Sequence, residues 1–98
     1  MAQLIYADGA LRSFERIVEF VAATDPALVI TVVDVIADAL EILTRHPLIG
    51  RPVADGRHEL LISRGKSGYV ALYRYNELLD IVFVLAIQHQ SEAGYVDK

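Results

Sequence analysis

The spacing of apolar residues changes period along this chain, and each change predicts a different element. Leu11, Phe14, Ile17, Val18 and Val21 recur at helical spacing, with Arg12, Ser13, Glu15, Arg16 and Glu19 on the other side. That is an amphipathic helix, with Asp8 placed to act as its N-cap. Before it, Gln3 to Ala7 reads as a short apolar strand. Asp25-Pro26 restarts the chain, Asp as a cap and Pro at a first helical position, where it loses no hydrogen bond. Val29, Val33, Ile36, Leu40 and Leu43 then form one row, and Val32, Val35, Ala39 and Ile42 a second. A stripe that wide predicts a helix touching two neighbours, the first helix and a sheet. It spans about twenty residues, or ~30 Å, and the short link makes the two helices an antiparallel hairpin.

His46-Pro47 closes the second helix, because Pro disfavours helix in the residue before it. Leu48 to Gly56 reads as a loop, and His58 to Ser63 as a strand with Leu60 and Ile62 on one face. Gly65-Lys66-Ser67-Gly68 is a turn. From Tyr69 onward the period is two. Tyr69, Ala71, Tyr73 and Tyr75 share a face opposite Val70, Leu72 and Arg74, and Asn76 to Asp80 turns the chain into a second strand. That strand, Ile81 to His89, is apolar on both faces and so belongs inside a sheet. The order β-α-α-β-β-β gives an α+β domain spanning residues 1–98, a helical hairpin packed on a mostly antiparallel sheet.

The 98 residues suit one domain, and 54% of them are apolar. That content is high for a chain this short, and it predicts a core together with a stable apolar interface. There is no cysteine, so disulfides and thiolate metal sites are excluded. The N-terminus lacks the pattern of a signal peptide, and Asp34, Asp38 and Glu41 interrupt the longest apolar run. A cytoplasmic protein without a membrane partner is the expectation. The net charge of −4 is uneven: residues 45–75 hold six cations against two acids, a local +4. Arg57, Arg64 and Arg74, with Tyr73, are the candidate binding side chains of that stretch, facing an acidic partner or a nucleic-acid backbone. An ordinary charged surface is the plain alternative.

The order of elements, with Asp25-Pro26, His46-Pro47-Leu48-Ile49-Gly50-Arg51-Pro52-Val53, Arg57-His58-Glu59-Leu60, Ser67-Gly68-Tyr69, Leu72-Tyr73-Arg74-Tyr75 and Val84-Leu85-Ala86-Ile87-Gln88-His89-Gln90, resembles the RelE/ParE toxin superfamily of type II toxin–antitoxin and plasmid-stabilisation modules. The resemblance covers nearly the whole chain. It implies a compact sheet carrying a helical hairpin, and a cognate antitoxin that wraps it. It also implies one of two activities: RelE-type cleavage of messenger RNA in the ribosome, or ParE-type inhibition of DNA gyrase.

Metal-free RNA cleavage needs a base for the ribose hydroxyl, cations for the phosphate and an acid for the leaving oxygen. RelE-type toxins supply the cations from their second, third and last strands. Here the matching positions hold His58, Glu59 and Leu61, then Val70, then Gln90, Ser91 and Glu92. His89, Tyr95 and Lys66, with Arg64, remain as candidates. The acidic net charge also opposes tight binding to ribosomal RNA. The expectation is therefore ParE-like, a toxin that binds its target protein and is leaning away from enzyme activity. A ribosome-dependent endoribonuclease and a non-toxic module keeping only the fold are the alternatives.

Each candidate also has a plainer reading. His89 could act as a general base, or be a hydrogen-bonded strand end. Tyr73 and Tyr75 could stack on bases, or pack in the core or at its rim. Arg51 is read as structural, tying its loop to the helical hairpin. The three His are scattered without carboxylates at ligand spacing, so no metal and no cofactor is expected. The excess apolar surface of the second helix predicts binding of antitoxin or self-association as a homodimer.

Overall fold

The computed structural model describes residues 1–63 and 68–90. The strand β1 (Gln3–Tyr6) leads into helix α1 (Asp8–Thr24). A 3-10 turn at Pro26–Leu28 opens α2 (Val29–Glu41), and a second at Ile42–Thr44 closes it. The strands β2 (Arg51–Pro52), β3 (His58–Leu61), β4 (Tyr69–Asn76) and β5 (Ile81–His89) follow. They form one five-stranded sheet in the order β1-β5-β4-β3-β2. Only the β1–β5 pair is parallel; the other three are antiparallel. The expected α+β architecture is therefore present, with β5 inside the sheet as its two apolar faces require.

Three details of caps and element boundaries differ from the sequence expectation. Asp8 lies in the first turn of α1, and the capping position is Ala7, with no side-chain bond. Asp25 does cap, accepting from the Ala27 N–H at 3.3 Å, but it caps the 3-10 turn ahead of α2. The Leu48–Gly56 segment is not all loop: Arg51 and Pro52 add a short edge strand against His58 and Glu59.

The core lies between the helices and one face of the sheet. Ala10, Ile17 and Val21 of α1 and Ile36 and Leu40 of α2 meet Ala71 and Tyr73 of β4 and Val82, Val84 and Ile87 of β5. A bulge decides which residues of β5 face it. Leu72 pairs with Ala86 and Tyr73 with Val84, so Leu85 is the extra residue. Such a residue reverses the side-chain alternation beyond it. Val82 and Val84 therefore share the core face with Ile87, and Ala86 does not.

β1 covers only the first half of β5, through Val84. Beyond that point α1 takes its place. Ser13, expected on the polar side of the helix, is fully buried. Its hydroxyl donates to the Gly9 carbonyl at 2.8 Å and accepts the Ile87 N–H at 3.1 Å. Arg16 donates to the Ile87 carbonyl at 3.4 Å. Two helix side chains thus satisfy strand backbone that would otherwise be orphaned.

Candidate functional site

The sheet face turned away from the helices carries a groove of ≈ 600 Å³. Strand alternation assigns its floor. Leu60, Ala71 and Ile87 lie in one cross-strand row and point into the core, so the next row, Leu61, Val70 and Gln88, points the other way. Those three line the groove with Ile49, Arg51 and Glu59.

Two features set its chemistry. The first is charge. Arg51 is the only cation among its described lining residues, and its guanidinium is hydrogen-bonded and ion-paired to the Glu59 carboxylate. Arg51 therefore ties β2 to β3; the expected tie to the helical hairpin is not what forms. An exposed pair of this kind adds less than about 1 kcal/mol, but it sets a carboxylate beside the guanidinium within the groove. The second feature is Gln88, which is 9% exposed and whose buried Oε1 accepts no hydrogen bond from the described residues. Buried polar atoms almost always have a partner.

Gly50 also lines the groove and is buried against the Tyr73 hydroxyl, which accepts the Gly50 N–H at 2.9 Å. A Cβ at position 50 would lie 2.7 Å from both the Glu59 carbonyl oxygen and the Tyr73 hydroxyl. Glycine is needed there for close approach, not for an unusual φ. Tyr73 is fully buried and stacks on His58 with ring centroids 5.5 Å apart. It is a core residue, so the structure corrects the expectation that it offers a binding surface. Burial raises the pKa of its phenol.

The other candidates are dispersed. His89 is half-buried and stands edge-on to Tyr69, its cross-strand partner, at 5.3 Å. It falls one residue beyond Gln88, on the opposite face from the groove. Arg57 folds back on its own turn, donating to the Ala54 carbonyl at 3.2 Å and to Asp55 at 3.5 Å. Arg74 is exposed, with its guanidinium beside Gly56. Both therefore sit at the 54–56 turn, and neither lines the groove. Lys66, Arg64 and Tyr95 lie outside the described residues. Among the described residues no cluster of His, Asp or Glu could hold a metal ion, and no helix is long and apolar enough to cross a membrane. The sequence marks Gln88 only weakly: with His89 it is one of two adjacent polar residues that end an otherwise apolar strand.

Comparison with known proteins follows the same lines as the fold. The family model of the ParE toxin of type II toxin–antitoxin systems matches residues 4–94. No curated protein sequence matches. Among solved structures, the RelBE2 toxin–antitoxin complex of Mycobacterium tuberculosis superposes with a TM-score of 0.61 at 24% identity, covering 91% of this chain and 98% of that one. The intact RelBE complex of E. coli gives 0.68 at 17% identity, covering 94% and 100%. The isolated RelE toxin of E. coli gives 0.67 at 17% identity, covering 95% and 88%.

Proposed function

The chain belongs to the ParE toxin family of type II toxin–antitoxin systems, and we propose that it acts by binding and inhibiting a target protein, such as DNA gyrase, and not by cutting RNA. A cognate antitoxin neutralises it, as the complexes of its structural relatives suggest. The observation that carries this reading is the charge of the groove. Cleavage of RNA without a metal requires uncompensated cations around the scissile phosphate. Among the described residues the groove offers Arg51 alone, held by Glu59, while Val70, Gln88 and Gln90 supply no charge. His89, the natural choice for a base, faces the other side of the sheet from them.

Expression of the protein alone in a bacterium is expected to arrest growth, with relief on co-expression of the small protein encoded beside it. Mapping messenger-RNA ends after induction separates the activities. Intact messages with induction of the DNA-damage response are expected. Codon-phased cuts that disappear in His89→Ala would replace this reading with a ribosome-dependent endoribonuclease.

A further inference from the structure

Gln88 carries an acceptor that no described residue satisfies, in a groove where aliphatic side chains stand beside the Arg51–Glu59 pair and Gln90. Its row-mates Leu61 and Val70 and the neighbouring Ile49 are aliphatic, and Leu61 and Ile49 are each more than half exposed. Leaving a buried carbonyl oxygen unpaired costs about 1–3 kcal/mol, a cost that a ligand N–H would remove once the side chain turns that oxygen out to the groove. The groove's charge selects among ligands: Glu59 lines it and pairs with Arg51, which disfavours a phosphate backbone. A neutral donor flanked by aliphatic groups is the complement, and an extended peptide supplies both through its main-chain N–H and its side chains.

The groove and the helices also lie on opposite sides of the sheet. The helical side exposes larger apolar residues, with Phe20 at 67% and Ile30 at 75%, and so suits a broad, lasting interface. The groove is a small directional site on the opposite face.

We propose that this groove receives an extended, uncharged segment of the protein the toxin inhibits, whose main-chain N–H donates to Gln88 while its aliphatic side chain packs on Leu61, Val70 and Ile49. This inference rests on the reading that the toxin acts on a protein target. Gln88→Leu tests it, because leucine keeps the bulk, removes the unpaired oxygen and is expected to leave the melting temperature equal or higher. Growth arrest on induction is expected to fall at least about tenfold, the loss of one such hydrogen bond. Antitoxin affinity, measured by titration of the purified proteins, is expected to stay within about twofold. Gln88→Asn, which keeps the amide but shortens its reach, is expected to fall between the two in growth arrest.

Full growth arrest by Gln88→Leu would overturn the assignment while leaving the protein-target reading intact. Lost antitoxin affinity in a variant of unchanged melting temperature would also overturn it, by giving the groove to the antitoxin. RNA cleavage by the wild type that Gln88→Leu abolishes would give it to a nucleic acid. A folded, antitoxin-binding wild type that leaves growth untouched would remove the inference and the reading beneath it together.

Discussion

Ser13→Ala isolates the contact by which a helix replaces a missing strand. The hydroxyl is fully buried and bridges the Gly9 carbonyl and the Ile87 N–H, at 2.8 and 3.1 Å. The Gly9 carbonyl belongs to a helix and loses only an extra partner. The Ile87 N–H faces the part of β5 that β1 does not reach, so it is left without an acceptor. An unpaired buried donor costs about 1–3 kcal/mol, and alanine returns roughly 0.5 kcal/mol through its better helix propensity. The expected net loss is about 1–2 kcal/mol, which lowers the melting temperature of a domain this size by about 5–15 °C. Thr24→Ala is the control, because its hydroxyl makes the same i to i−4 bond, to Phe20 at 3.0 Å, but in an exposed position; it should cost under about 0.5 kcal/mol. Urea unfolding gives both values, and an unchanged m-value shows that the folded state is the one perturbed. Amide exchange at Ile87 should rise in Ser13→Ala beyond the global change. Equal midpoints for the two variants, or an unaltered Ile87 exchange rate, would show that α1 does not stand in for a strand.

Three further outcomes follow from the core and the surface. Gly50→Ala pushes a Cβ into backbone and ring atoms 2.7–2.8 Å away, and thermal unfolding should show a loss of about 1–3 kcal/mol. Burial raises the Tyr73 pKa above the ordinary 10.0, so the unfolded chain ionises first. Stability should be flat below that value and fall as pH rises through it; Tyr73→Phe, though less stable at neutral pH, should show a shallower alkaline decline in denaturant titrations at pH 9 and 11. The exposed Phe20 and Ile30 should drive self-association of the antitoxin-free protein that light scattering finds insensitive to salt, and Phe20→Ser with Ile30→Ser should leave a monomer.

Much of this fold is legible because its signals are local. Period-2 alternation from Tyr69 to Tyr75 places Tyr69, Ala71 and Tyr73 on the core face, where they lie. Asp25-Pro26 marks a restart because a cap and a pre-set φ act within two residues. The helical rows give Ile36 and Leu40, both fully buried. Ser13 escapes the same logic. It sits three residues after Ala10 and four before Ile17, all three buried, but a hydroxyl there scores as polar until an unpaired strand N–H lies across from it. That partner is 74 residues away, and nothing in a helical period refers to it.

The candidate site was obscured by the bulge at Leu85. With both faces of β5 apolar, unbroken alternation would put Val82 and Val84 on the same face as Gln88, and Ile81 and Phe83 on the same face as His89. The inserted residue reverses this: Val82 and Val84 turn to the core with Ile87, and Gln88 turns to the groove. A one-residue shift moves every later side chain to the other face, and an all-apolar strand carries no pattern that would reveal it. The bulge therefore decides which of two adjacent polar residues can meet a ligand in the groove. It gives that position to a neutral carboxamide and turns the imidazole of His89 towards Tyr69. In a groove whose remaining described cation is paired, a peptide donor is matched and a phosphate is not, and that asymmetry is set by chain geometry as much as by composition.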